Sequence, residues 1–102
     1  MVRFVIVFSE DAKNDIQNLS DVIMYQYKAP KTAFDYIQGL LDEIKTLRTN
    51  AEIYSIQKSS RFLQYGLNVR RLNYKKMVVI YTVVNNSAYI IRVVPSSTIT
   101  SL

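Results

Sequence analysis

The sequence predicts an α+β domain of β-α-α-β-β-β order, an antiparallel sheet with a helical hairpin packed on one face. Three observations carry this. Apolar residues recur at helical spacing from Ala12 to Leu47, and from Leu67 onward the period falls towards that of a strand. Pro30 divides the helical stretch, while Asn73–Lys76 and Asn85-Asn86 divide the stretch of strands. The chain has 102 residues, 49% of them hydrophobic and 21% charged, a profile opposite to that of disorder, so residues 1–102 are expected to form one domain.

Val2 to Phe8 is β-branched and aromatic with Arg3 its only charge. Both alternating faces are apolar, which predicts an interior strand. Ser9 follows as a helix N-cap, with Glu10 and Asp11 in the first turn, where the helix dipole favours acids. Ala12, Ile16, Leu19, Ile23 and Tyr27 make one helical stripe. Pro30 suits the first position of a second helix, whose stripe is Ala33, Ile37, Leu40, Leu41, Ile44 and Leu47 and which should finish near Thr49-Asn50. Gly39 within it costs about 1 kcal/mol relative to Ala unless another helix approaches closely there. Two helices joined so briefly form an antiparallel hairpin.

Residues 51–64 have no clean period and are expected to be a loop with a short helical turn. Leu67 to Leu72 predicts a strand, and Asn73 to Lys76 a turn. Met77 to Val84 has only the hydroxyls of Tyr81 and Thr82 as polar groups, as a central strand buried on both faces requires. Asn85-Asn86 closes a tight hairpin, and Ala88 to Val94 is the last strand, stopped by Pro95 and a Ser/Thr tail.

The chain has no Cys and no His. Disulfides, thiolate nucleophiles, the Ser-His-Asp triad and the usual transition-metal sites are thereby excluded, and no cofactor or metal is expected. Gly39 and Gly66 stand alone, so there is no Gly-rich phosphate loop. The apolar run Phe4 to Phe8 is too short for a signal peptide, and nothing approaches the ~20 residues of a membrane span. A cytoplasmic protein with no membrane partner is expected. The carboxylates Asp11, Asp15, Asp42 and Glu43 fall on polar helix faces and are expected to be solvated.

The net charge of +5 is unevenly distributed. Residues 1–52 hold six Lys or Arg and all eight acids, a net of −2, whereas residues 53–102 hold seven Lys or Arg and no acid, a net of +7. Five of the eight tyrosines also lie in the basic half. Strand alternation sends Arg70 and Arg71 to opposite sides, one towards the helix layer or its rim and the other to the open side. It also sets Arg92 with Ile90 and Val94, and Tyr81 with Met77, Val79 and Val83. Interleaved cations and rings suit RNA, with guanidinium and ammonium groups on phosphate and rings on unpaired bases. The bland alternatives are that Lys75 and Lys76 solubilise a hairpin tip and that Tyr81 fills the core.

The chain resembles the RelE/ParE superfamily of type II toxin–antitoxin toxins. The opening VRFVIVFSEDAKNDIQNL is similar to that family's first strand and helix through Ser9, Ala12, Asp15 and Ile16. The second helix resembles it through Pro30, Ala33, Leu40-Leu41, Ile44 and Leu47. The closing VRRLNYKKMVVIYTVVNNSAYIIRVV looks like its "R-x-L … Y-x-V" strand pair and final "I-x-R-V" strand. The resemblance implies a growth-inhibiting toxin held inactive in an oligomer with a cognate antitoxin, an acidic and partly disordered chain folding over the sheet or along the helices. It implies two activities: RelE-like, metal-independent cutting of mRNA on the ribosome, or ParE-like poisoning of DNA gyrase.

The RelE-like activity is the leading expectation. For it, Arg70 or Arg71 with Arg92 would stabilise transition-state charge, Tyr81 would transfer protons, and Lys58, Arg61, Lys75 and Lys76 would hold RNA phosphates. Where many ribonuclease members carry His or Arg beyond the last strand, this chain has Pro95, Ser96, Ser97 and Thr98. A basic binding module without catalysis is the third reading.

Overall fold

The computed structural model describes residues 3–100. Strand β1 (Val5–Phe8) leads into helix α1 (Glu10–Asp21), which continues as a π-helical turn over Val22–Gln26. Helix α2 (Pro30–Lys45) and the single turn α3 (Leu47–Asn50) come next. A 3₁₀ turn (Ser60–Tyr65) precedes strands β2 (Arg70–Tyr74), β3 (Met77–Val84) and β4 (Ser87–Pro95), and helix α4 (Ser96–Thr100) closes the described chain. The predicted α+β class and element order hold. Val2, the first residue of the predicted opening strand, lies outside the described residues.

The sheet is mixed, in the order β1-β4-β3-β2. The meander β2-β3-β4 is antiparallel, as predicted, and β1 adds to β4 in parallel. That puts β1 at an edge rather than in the interior. Ile6 and Phe8 pack on the core, but Val5 and Val7 are 63% and 39% exposed. An apolar outward face reads in the sequence like a second buried one, because periodicity records composition and not cover.

β3 is the central strand with the predicted bounds, and Met77 to Tyr81 are all buried. Its two faces belong to different cores. Met77, Val79 and Tyr81 join Leu40, Ile44 and Leu47 of the helical layer, whereas Val78 and Ile80 join Phe62, Val69, Val94 and Ile99. The second face is covered by the 3₁₀ turn and α4, so Ser96–Thr100 after Pro95 form a helix docked by Ile99. The anchoring amide is that of Ser96, which donates to the Lys76 carbonyl at 2.8 Å.

Several boundaries shift for local reasons. β2 starts at Arg70, not Leu67. Gly66 (φ 120°) and Asn68 (φ 58°) take left-handed backbone that no strand tolerates, and Leu67 is 78% exposed. The β2–β3 turn is only Lys75-Lys76, with Lys75 at φ 52°, and Asn85 takes φ 54° in the predicted hairpin. The π turn after α1 inserts an extra residue and rotates the residues beyond it, so Tyr27, predicted on the apolar stripe, is 69% exposed.

β4 carries a bulge. Ile80 pairs with Arg92 and Tyr81 with Ile90, leaving Ile91 unpaired. Strict alternation therefore fails, with Ile90 and Val93 sharing the helix-side core and Ile91 and Val94 the other. The predicted grouping of Ile90 with Val94 is overturned by that single residue.

Gly39 has a tertiary reason, but its neighbour is a strand. The Tyr74 hydroxyl of β2 lies where a Cβ would be, and Tyr74 meets Tyr36 edge-on at 5.3 Å. Gly39→Ala is expected to destabilise the fold by about 1–3 kcal/mol through overpacking. Adding Tyr74→Phe should recover part of that loss, as measured by urea unfolding of both variants.

Candidate functional site

The basic candidates do not converge on one cleft. They are spread over β2, β4, the β2–β3 turn and the segment before β2, and the catalytic candidates are already engaged in holding the fold. Arg70 and Tyr81 are cross-strand partners, and Arg71 and Arg92 flank Ile80 from the strands on either side.

Tyr81 is fully buried in β3. Its hydroxyl donates to the Ala51 carbonyl at 2.7 Å, and its ring meets Tyr54 edge-on at 6.5 Å. Burial, opposed in part by the Arg70 charge, pushes the phenol well above its ordinary range. The hydroxyl is closed off from solvent and its proton is directed at a backbone carbonyl. That placement matches the reading of Tyr81 as a residue that fills the core.

Arg70 faces the rim of the helical layer. Its Nη1 donates to the Tyr54 carbonyl at 2.6 Å and the Glu52 carbonyl at 3.1 Å, so it fastens the segment after α3 to β2. The pairing of Ile56 with Arg70, and the Gln57 amide on the Val69 carbonyl at 2.8 Å, extend that attachment. Arg71 points to the opposite side, as alternation requires. That side is not open, because the guanidinium lies 5.7 Å from the centre of the Phe62 ring and donates twice to Asn73 Oδ1, at 2.9 and 3.1 Å.

Arg92 is held most firmly. Its Nε and Nη2 donate to the two oxygens of Asp15, at 2.7 and 2.9 Å, and the Val93 amide donates to the same carboxylate at 2.9 Å. The Asp15 hydrogen bond raises the Arg92 pKa further. The Ser9 hydroxyl donates to the Ile91 carbonyl at 2.7 Å while accepting from the Ala12 amide. The β4 bulge is thus tied on both sides of Ile91 to the first turns of α1.

Asp15 is not the solvated acid that a polar helix face predicts; its side chain is only 14% exposed. The signal that could have found it is its spacing, three residues after Ala12 and four before Leu19. That is a core-side position, where a lone acid requires a cation.

The remaining cations are more open. Lys58 and Lys76 are exposed, and Arg61 is partly exposed beside Phe62 in the 3₁₀ turn. Lys75 lies over both the Tyr36 and Tyr74 rings, 5.3 and 5.4 Å from their centres. A groove of about 520 Å³ runs beside the Asp15–Arg92 pair, floored by Leu19, Met77 and Val93 and bordered by Tyr65 and Thr98.

These contacts set the expected behaviour of two variants. Tyr81→Phe should cost about 1–3 kcal/mol, because the buried Ala51 carbonyl loses its partner. Asp15→Asn should cost about 1.5–3 kcal/mol through the weakened bonds to Arg92 and Val93. Chemical denaturation measures both losses.

A profile describing the ParE toxin of the type II toxin–antitoxin system parDE matches residues 6–99. No curated protein matches the chain in sequence. A solved structure titled "Chromosomal ParDE TA system from P. aeruginosa" is similar to it, with a TM-score of 0.75 over 91% of this chain and 96% of that one. The two are 17% identical, so this likeness shows the fold. No helix among the described residues is long and apolar enough to cross a membrane. With the profile spanning nearly all of the strands and helices described above, the chain belongs to the ParE toxin family of type II toxin–antitoxin systems within the RelE/ParE superfamily.

Proposed function

We propose that this toxin arrests growth by binding DNA gyrase and not by cutting RNA. One observation supports the reading above the others: the groups an RNA-cutting site would draw on are committed to the fold. Tyr81 is buried on the Ala51 carbonyl, Arg92 is locked to Asp15, and Arg70 holds two backbone carbonyls. Inhibition by binding needs no free acid or base. It needs a stable surface of suitable charge, and a rigid framework of paired cations supplies one.

In this reading Lys58, Arg61, Lys75 and Lys76 are contacts to the phosphates or acidic side chains of the gyrase–DNA complex. They lie in the acid-free half of the chain, on the segment before β2 and at the β2–β3 turn. Arg71 contributes the edge of its guanidinium beyond Phe62 and Asn73. The cognate antitoxin is an acidic chain that masks this surface, the complementarity expected for a half of the chain that holds seven Lys or Arg and no acid.

The test is to add purified toxin to gyrase with relaxed plasmid and, separately, to a translating extract. Inhibited supercoiling or stabilised double-strand breaks, with message left intact, is the expected outcome. Lys58→Glu combined with Lys76→Glu should weaken that inhibition at least tenfold without altering the unfolding midpoint. Cleavage of ribosome-bound message that disappears when Arg70 and Arg71 lose their charge would reinstate the RelE-like mechanism.

A further inference from the structure

The β2–β3 turn is fastened from both sides of the sheet, and one of its two lysines is fastened with it. On the helical side, the Tyr74 phenol at the end of β2 enters the notch that Gly39 leaves in α2. Its ring meets Tyr36, three residues earlier in that helix, edge-on at 5.3 Å. On the other side, the Lys76 carbonyl accepts the Ser96 amide of α4 at 2.8 Å. Between these two attachments Lys75 takes left-handed backbone, φ 52°. Both helical neighbours therefore fix the direction in which the turn projects.

The Lys75 ammonium lies over two rings at once, 5.3 Å from the centre of Tyr36 and 5.4 Å from that of Tyr74. A cation within about 6 Å of a ring centre is attracted by the negative face of the π system. Burial, and after it the neighbouring Tyr74 phenol, raises the Tyr36 pKa above its ordinary value, so this ring stays uncharged at neutral pH. No carboxylate competes for the ammonium. Lys75 makes no ion pair among the described residues, and the acids of α2 on either side of Tyr36 and Gly39 are engaged elsewhere, Asp35 with Lys31 and Asp42 with Gln38 and Lys45. Lys75 is nevertheless exposed. A free lysine loses rotamer freedom when it binds an anion, and one already seated on two rings has less to lose.

We propose that Tyr36 and Tyr74 are positioning residues that hold the Lys75 ammonium as a preset contact for a phosphate of duplex DNA. An ammonium binds phosphate as a point charge and lacks the fork that pairs with a carboxylate. Lys76 adds a second exposed cation at the same turn. Adjacent cations suit the regular row of charges along a DNA backbone better than one isolated acid. The inference rests on the reading above in taking the DNA of the gyrase–DNA complex as the source of the phosphate. It separates Lys75 from Lys58 and Lys76, which lie over no ring among the described residues.

The probe is a fluorescein-labelled DNA duplex of about 20 base pairs, titrated with the full chain and followed by anisotropy over a range of salt, where each phosphate contact contributes about 0.9 to the slope of log affinity against log salt. Lys75→Met keeps a long side chain on the rings and removes its charge. It should weaken binding about fivefold or more at low salt and reduce that slope by about one. Tyr36→Leu keeps the charge and removes one ring, and should weaken binding about threefold, whereas Tyr36→Phe should stay within about twofold of the unaltered chain. In NMR spectra the ring currents should place the Lys75 ε protons upfield in the unaltered chain and in Tyr36→Phe, and near their usual position in Tyr36→Leu. Lys75→Met needs no repacking, so it decides the matter should Tyr36→Leu unfold. No binding of the duplex, an unchanged affinity and slope in Lys75→Met, or equal binding by Tyr36→Leu and Tyr36→Phe would overturn the proposal. So would loss of gyrase inhibition in Lys75→Met with duplex binding intact, which points to a carboxylate. Duplex binding with the expected variant effects, but undisturbed supercoiling by gyrase, would remove the gyrase reading and leave the phosphate contact standing.

Discussion

A strand with no polar face has to be covered twice, and β3 imposes that requirement on the whole molecule. Met77 to Tyr81 are buried on both sides. At about 25 cal/mol per Å² of apolar surface, leaving either face wet would forfeit several kcal/mol from a domain with little stability to spare. The helical hairpin covers one face. Phe62 of the 3₁₀ turn and Ile99 of α4 cover the other, so segments that look like loop and tail are parts of a core.

Placing Tyr81 in that strand brings a hydroxyl into the interior, and the fold answers it with the Ala51 carbonyl just beyond α3. Arg70, opposite Tyr81, then holds the following residues through the carbonyls of Glu52 and Tyr54. On the next strand the bulge at Ile91 reorients β4, and Ser9 and Asp15 of the first helix fasten it. Each polar contact satisfies a group that burial of β3 or irregularity of β4 would otherwise leave unpaired. The arginines that suggest catalysis in the sequence are in this sense cross-links between layers.

The same constraint separates rigid from available surface. Arg70 and Arg92 have fixed partners, whereas Lys58 and Lys76 stand out from a framework that does not need them. At the other edge, β1 is apolar on a side that no element covers among the described residues, where Val5 and Val7 are exposed.

By itself the sequence determined the α+β class, the order of elements, the helical hairpin divided at Pro30, the bounds of β3 and the concentration of charge in the second half, because these depend on local period, composition and backbone preference. Tertiary structure alone decided the rest. Whether an apolar face is covered put β1 at the edge and Ile99 in a core. One unpaired residue, Ile91, changed the facing of β4, and one extra residue in a helical turn sent Tyr27 to solvent. Partners distant in the chain hold Tyr81 and Arg92, with Ala51 thirty residues from Tyr81 and Asp15 seventy-seven from Arg92. Residue types and spacings state what a side chain can do, while its burial and the groups it meets decide which of those things it does.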